Sequence, residues 1–236
     1  MPEMMNNLPL EAVKICENTY RIEDNFVRCL LFVGRERALL VDTGFGGKES
    51  LKALVETLTN KPIQLVITHA DPDHIGAAGE FDTVYMHGDE VPRYTGMTGE
   101  GGPKICTLQD GEIIDIGGRR FEALLVPGHT HGSVALLDRA NRILIPGDLV
   151  SEMPIFLFGE DRDFDAYMAS LEKLLALRDT FDEIYPSHGA LPLAPAQIEK
   201  LLAAAKKFRA GELLPMEPPF PMPAKMYADD GAGFYI

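Results

Sequence analysis

The chain has 236 residues, of which 46% are hydrophobic and 25% charged, the composition of a globular protein able to bury a sizeable core. Its formal net charge of −14 argues against a nucleic-acid or anionic-membrane partner, because binding phosphates requires clustered Lys and Arg. No apolar run is long enough to span a membrane, and residues 1–10 lack the basic region of a signal peptide. The three cysteines are odd in number and widely spaced, which indicates a reducing cytoplasm and not a disulfide framework. We do not expect any of them to be catalytic. We therefore expect a cytoplasmic protein without a nucleic-acid or membrane partner.

The elements are predicted from hydrophobic periodicity and from turn and cap signals. Strands are predicted at residues 12–16, 26–33, 38–41, 63–67, 83–86, 112–116, 120–126, 133–137, 142–145 and 184–189. Helices are predicted at residues 48–58, 75–80, 164–177 and 194–210, with Asp163 as the N-cap of the third. Residues 96–102 are expected to form a glycine-rich loop, residues 215–223 an extended connector, and residues 226–236 a hairpin. Strands followed by a helix occur twice, before and after residue 111, without a linker, which favours one domain at 1–236.

The most informative stretch is Thr-His-Ala-Asp-Pro-Asp-His at residues 68–74. It follows the predicted strand 63–67, at a position where turns can direct side chains into a cleft. Neutral imidazoles and ionised carboxylates are the ligands that Zn²⁺, Fe²⁺ and Mn²⁺ bind in proteins. The sequence therefore predicts a metal site here.

Other polar residues follow other predicted strands in the same way: Asp42, His129, Asp148 and His188, with His131 beside one of them. Any one of these histidines alone would more often be a solvated or hydrogen-bonded side chain than a ligand. Their joint placement at strand ends favours a metal site. Asp42 begins a glycine-rich turn, and we expect its carboxylate to bond local backbone amides.

These motifs resemble the metallo-β-lactamase superfamily of hydrolases. The HxHxDH signature of that family aligns with His-Ala-Asp-Pro-Asp-His at residues 69–74, and its later ligands align with His129, Asp148 and His188. Val-Asp-Thr-Gly at residues 41–44 looks like its structural VDTG element. The likeness extends from about residue 12 to residue 190.

The resemblance implies an α+β fold, a four-layer αββα sandwich of two mixed β-sheets flanked by helices. It also implies a dinuclear site, in which Zn²⁺ is expected first and Fe or Mn are alternatives. By the family pattern, one ion is held by His69 and His129, the other by Asp73, His74 and His188, with Asp148 bridging the two.

One residue departs from the pattern, because Asp71 stands where the family has its second histidine. The carboxylate could bind a metal, and its charge would then favour a harder or redox-active ion such as Fe or Mn. It could instead cap the helix that begins at Pro72, a residue suited to the first helical position. His131 could serve as a substitute ligand, a substrate contact or an exposed residue, whereas His87 is interpreted as an ordinary loop histidine.

The implied activity is that of a hydrolase that uses a metal-bound hydroxide on a small ester, thioester or lactone. Asp73 would orient the hydroxide and Asp148 would hold the ion pair together. Residues 94–102 and residues 151–163, with Phe156, are expected to form the pocket walls. One alternative is a di-iron redox enzyme similar to flavodiiron proteins but without their flavodoxin domain, and the other is a metal-binding module that has lost catalysis.

Overall fold

The computed structural model describes residues 9–47, 49–99 and 101–236. The chain divides into two compact units, Met1–Leu124 and Leu125–Ile236. The prediction that residues 1–236 form one domain stays a prediction. The predicted helix start at Lys48, one position of the predicted loop 96–102, and the first eight residues lie outside the described residues.

Most strands of the described part of unit 1 belong to one mixed sheet, in which neighbours in sequence are neighbours in space. Its strands are β1 (Glu11–Cys16), β2 (Thr19–Asp24), β3 (Val27–Val33), β4 (Ala38–Val41), β5 (Ile63–Val66), β6 (Thr83–His87) and β7 (Lys104–Leu108). Pairing is antiparallel from β1 to β4 and parallel from β4 to β7. The central strands β3 and β4 are buried almost throughout, as expected where both faces of a sheet are covered. An antiparallel hairpin of β8 (Ile113–Asp115) and β9 (Arg120–Leu125) follows.

In the described part of unit 1, three helices connect these strands: α1 (Leu51–Leu58), α2 (Pro72–Ile75) and α3 (Val91–Thr98). The Ser50 side chain caps α1 by accepting a hydrogen bond from the Ala53 amide at 3.0 Å. The predicted helix at residues 75–80 is wrong, since α2 ends at Ile75 and only a 3₁₀ turn, Ala78–Glu80, follows. The predicted loop at residues 96–102 is wrong at its start, because α3 continues to Thr98 despite its glycine.

Unit 2 contains β10 (Val134–Asp138), β11 (Ile143–Ile145), β12 (Ile155–Phe156), β13 (Glu183–Ile184), β14 (Met226–Asp229) and β15 (Ala232–Tyr235). The predicted hairpins β10–β11 and β14–β15 are both antiparallel pairs. β13 pairs in parallel with β11, and β12 pairs in parallel with β15. The predicted strand at residues 184–189 is wrong in length, because only its first residue lies in β13.

Two helices complete unit 2, α4 (Phe164–Ala176) and α5 (Ala196–Arg209). Asp163 caps α4 as predicted, accepting a hydrogen bond from the Ala166 amide at 2.9 Å. Edge-to-face contacts join Phe164 and Tyr167 of α4 to Phe234 of β15, each with ring centroids 5.7 Å apart. In the ranges that the structure describes, no helix is both long and apolar enough to span a membrane.

Candidate metal centre

The ligand-type residues of unit 1 lie at one edge of its sheet. β4, β5 and β6 run in parallel, with Val41 opposite Val66, so their carboxyl ends meet at that edge. Asp42 follows β4 directly, and Thr68 and His69 follow β5. Ligands commonly bind outside the carboxyl ends of parallel strands, and here the topology places the polar loops of unit 1 at such ends.

His69 and His74 are almost completely buried, and their ring centroids lie 3.9 Å apart. The Nε2 atom of His69 is 3.7 Å from Oδ2 of Asp71, and the Nε2 atom of His74 is 3.7 Å from Oδ2 of Asp73. These separations are too long for hydrogen bonds. They are close to the roughly 3.4 Å that separates two ligands bound tetrahedrally to one ion at about 2.1 Å. The donor set of unit 1 therefore fits a metal ion.

Asp42 connects the end of β4 to the ligand loop. Its Oδ1 accepts a hydrogen bond from the Thr68 amide at 2.7 Å, and its Oδ2 accepts one from the Thr68 hydroxyl at 2.8 Å. The same Oδ2 lies 2.8 Å from Nδ1 of His74. The expectation that Asp42 would bond local amides is wrong, because its partners are 26 and 32 residues away.

This network determines where the protons of both histidines reside. A carboxylate only accepts, so Nδ1 of His74 donates to Asp42. The Thr68 hydroxyl gives its single proton to Asp42 and must accept from Nδ1 of His69, which lies 3.0 Å away. In the neutral form, both imidazoles therefore carry their proton on Nδ1 and a lone pair on Nε2. Metal-binding histidines commonly have such outer partners, which supports the assignment of a metal site.

Asp71 occupies the N-cap position of α2, with φ −83° and ψ 152°, but its side chain makes no capping hydrogen bond. Its Oδ1 accepts two hydrogen bonds from Arg93, from Nη2 at 2.6 Å and from Nε at 3.1 Å. Its Oδ2 faces His69. The interpretation of this carboxylate as a helix cap is wrong, and its ligation of a metal stays a prediction.

The ligand-type residues of unit 2 also follow parallel strands. Asp148 lies after β11 and His188 after β13, and the Tyr185 amide donates to the Leu144 carbonyl at 2.8 Å across this pair. Oδ2 of Asp148 is 3.2 Å from Nε2 of His188 and 3.8 Å from Nε2 of His129. One carboxylate oxygen therefore faces two imidazole nitrogens. The bridging of two ions by Asp148 stays a prediction.

His129 is buried and is oriented by its backbone neighbours. Its Nδ1 lies 2.9 Å from the Phe156 carbonyl oxygen, which only accepts, so the lone pair again resides on Nε2. Its own carbonyl accepts a hydrogen bond from Arg162. Gly128 has φ 138° and lies against α4 so closely that a Cβ would come within 2.3 Å of the Tyr167 Cα atom. The loop that carries His129 therefore requires glycine at residue 128.

Other residues that the sequence analysis considered lie outside this set of ligand-type residues. His131 is exposed. His87 is the last residue of β6 and not a loop residue, and its Nδ1 accepts a hydrogen bond from the Asp89 amide at 3.3 Å. Of the expected pocket walls, Phe156 is partly exposed, whereas Tyr94 is buried in α3.

The Cys29 thiol is a poor nucleophile, because burial, reinforced by the nearby Asp42 carboxylate, raises its pKa well above the usual value.

The family model of the metallo-beta-lactamase superfamily matches residues 22–209. The chain belongs to this superfamily. Its predicted α+β fold with mixed sheets and helices is confirmed by this match and by solved structures. A metallo-beta-lactamase from Pontibacter korlensis superimposes with a TM-score of 0.71 at 22% identity, covering 84% of this chain and 99% of that one.

Several curated relatives of the chain are hydrolases by name. The acyl-coenzyme A thioesterase MBLAC2 of Homo sapiens is 25% identical over 195 residues, which cover 66% of this chain and 70% of that protein. A hydroxyacylglutathione hydrolase of Photobacterium profundum is 34% identical over 171 residues, which cover 70% of this chain and 62% of that protein. A beta-lactamase-like protein 2 homolog of Caenorhabditis elegans is 31% identical and covers 73% of this chain and 58% of that protein.

Proposed function

We propose that this protein is a metal-dependent hydrolase of small acyl thioesters, with oxygen esters and lactones as related substrates. One observation carries the proposal. His69, His74 and His129 each have Nδ1 engaged by an outer partner, while Nε2 faces a carboxylate at 3.7–3.8 Å. This arrangement supports metal ligation, because neutral imidazoles with a fixed lone pair are the form that binds metals.

The proposed ligands are those that the family pattern implies, together with Asp71. They serve two divalent ions, with Zn²⁺ expected first: His69, Asp71 and His129 for one ion, Asp73, His74 and His188 for the other, and Asp148 for both. When bound, the ions would lower the pKa of water and polarise the carbonyl group of the substrate. Asp73 is partly exposed. One of its carboxylate oxygens would orient the attacking water by accepting a hydrogen bond from it.

The choice of thioesters is supported by the relatives. The substrates named for MBLAC2 and for the hydroxyacylglutathione hydrolase both carry an acyl group on a thiol. Phe156, whose carbonyl orients His129, has a side chain that is 36% exposed and lies 4.8 Å, centroid to centroid, from Tyr235. Phe156 would contact the apolar part of the acyl group, with the buried Tyr235 ring packed behind it. A cytoplasmic location and a small-molecule substrate remain parts of this proposal.

The second candidate is a di-iron redox centre, and the observation that favours it is Asp71. A carboxylate in place of histidine adds negative charge, which favours a harder ion. Arg93 donates to that same carboxylate and offsets its charge, so the preference for iron is weakened and Zn²⁺ remains the first expectation.

The test is thiol release from an acyl-coenzyme A, a hydroxyacylglutathione, and a matched oxygen ester and lactone. We expect thioester turnover that is lost after chelation and returns when Zn²⁺ is added. Asp148→Asn should abolish turnover, whereas the exposed control Asp182→Asn should retain it. Turnover that survives complete chelation would refute metal dependence. Metal binding without turnover of any substrate would favour the degenerate module, and oxygen reduction by an iron-loaded protein would favour the redox enzyme.

A further inference from the structure

The segment that follows β6 contacts the ligand loop through two side chains three residues apart. The Glu90 carboxylate is 1% exposed and accepts a hydrogen bond from the Ala70 amide at 2.7 Å. Arg93 of α3 donates two hydrogen bonds to the next residue of that loop, Asp71. Because β5 and β6 are parallel, this segment and the ligand loop begin at the same sheet edge.

The contact between Arg93 and Asp71 leaves the carboxylate with two unequal oxygens. Nε and Nη2 of Arg93 both donate to Oδ1, and Oδ2 is directed at Nε2 of His69. The side chains of Arg93 and Asp71 are only 19% and 13% exposed, so the pair is shielded from bulk water. Charge-assisted hydrogen bonds in such surroundings are short and directional. Asp71 can therefore offer one oxygen to a metal ion while the other stays bound.

We propose that Arg93 is the positioning residue that allows Asp71 to replace a histidine as a metal ligand. Arg93 holds Oδ2 of Asp71 toward His69, so that Asp71 offers a single oxygen atom to the metal. An imidazole offers a single nitrogen atom in the same way. Arg93 also offsets the charge of the carboxylate, so the Asp71–Arg93 pair is neutral as a histidine is. This inference rests on the proposed function, since it requires a metal ion beside His69.

The guanidinium is needed because its Nε and Nη2 atoms both reach one oxygen, which a lysine ammonium does not reproduce. Arg93→Lys should therefore keep the charge but lose part of the positioning. Asp71→His alone should be poorly tolerated, because it removes the carboxylate to which the shielded guanidinium of Arg93 donates two hydrogen bonds. Asp71→His combined with Arg93→Met should restore a neutral, histidine-type site.

The experiment titrates Zn²⁺ and Mn²⁺ into the metal-free full chain against a competing chelator, with melting temperatures of the metal-free variants as the fold check. For Arg93→Met we expect one of two metal equivalents to bind about 10–100-fold more weakly and the other to be unchanged. Arg93→Lys should be intermediate, and Asp71→His should be weakened like Arg93→Met. The double variant should recover Zn²⁺ affinity to within about threefold. Arg120→Met, at a side chain 69% exposed, is the matched control and should bind as the parent does.

Unchanged affinity for both ions in Arg93→Met and in Arg93→Lys would show that the pair is only a structural ion pair. A double variant that binds no better than Asp71→His would overturn the proposal as well. If Arg93→Met does not fold, Arg93→Lys carries the test, because it keeps the charge. A parent protein that binds no metal would refute the proposed function itself, whereas a parent with two ions and unaffected Arg93 variants would refute only this inference.

Discussion

Replacing Asp42 by Asn should weaken metal binding by roughly 10–100-fold in a protein that still folds. The substitution is nearly isosteric, and the amide oxygen can still accept from the Thr68 amide as Oδ1 does at 2.7 Å. The amide nitrogen would stand where Oδ2 now accepts from the Thr68 hydroxyl and from Nδ1 of His74. An amide nitrogen only donates, so the hydrogen bonds that join this position to the Thr68 hydroxyl and to Nδ1 of His74, and the one between that hydroxyl and Nδ1 of His69, would have to reverse direction.

The reversal has a defined consequence for both histidines. Nδ1 of His74 would become an acceptor, and the Thr68 hydroxyl would accept from Asn and donate to Nδ1 of His69. Both rings would then carry their proton on Nε2, the atom that the metal requires. Binding a metal would break one hydrogen bond per histidine, at about 1 kcal/mol each. A tenfold change in a dissociation constant corresponds to about 1.4 kcal/mol, so the metal affinity should fall roughly 10–100-fold.

The assay is chelator competition with Zn²⁺ on the Asp42→Asn protein, together with its denaturant unfolding in the metal-free form. We expect the metal-free stability to fall by about 1–2 kcal/mol, so that the protein still folds, and the metal affinity to fall roughly 10–100-fold. Thr68→Ser is the matched control, because it keeps the hydroxyl relay and should bind metal as the parent does. Unchanged metal affinity in Asp42→Asn would refute the assignment of the protons.

Three other substitutions or reactions test the packing around the site. Gly128→Ala should lower the free energy of unfolding by at least about 2 kcal/mol more than Gly159→Ala, because both residues have positive φ but only Gly128 lies against backbone. Burial raises the pKa of the Asp24 carboxyl, partly countered by hydrogen bonds from the chain. The folded state therefore keeps the Asp24 proton to a higher pH than the unfolded state does. As a result, the free energy of unfolding should fall as the pH rises from about 4 to the pKa of Asp24 in the folded state. The Asp24→Asn protein should not show this fall. Native alkylation should modify the exposed Cys16 and leave the buried Cys29 intact.

Each of these expectations has a clear contrary result. Equal stability of the two alanine variants in urea unfolding would show that the loop before His129 can move away from α4. A pH profile of unfolding that is identical for Asp24→Asn and the parent would refute the raised pKa. Labelling of Cys29 by iodoacetamide, seen by peptide mass spectrometry under native conditions, would show that β3 opens readily.

The sequence was sufficient for the elements whose pattern is local. The cap at Asp163, both unit 2 hairpins and the buried strand before His69 follow from side-chain periodicity and turn chemistry. β2 was missed because its alternation is carried partly by polar residues, Thr19 and Asp24, which are buried in the sheet. α3 was missed because a proline and a glycine lower its helix propensity, while burial of Tyr94 holds it in place.

The outer partners of the candidate ligands could not be predicted in the same way. Asp42 meets His74 only because β4 and β5 pair in parallel, and Arg93 meets Asp71 only because α3 returns to the edge where β5 ends. These contacts join residues 32 and 22 positions apart. No local pattern encodes them, although the departure of Asp71 from the family motif indicates that a compensating partner should exist.

The central claim is that the two groups of ligand-type residues hold two divalent ions. Elemental analysis of anaerobically purified protein tests it most directly, with the parent compared with His74→Ala and His188→Ala. The account predicts close to two ions per chain in the parent, chiefly zinc, and about one in each variant. A parent that contains no stoichiometric metal, or variants that keep both ions, would contradict it.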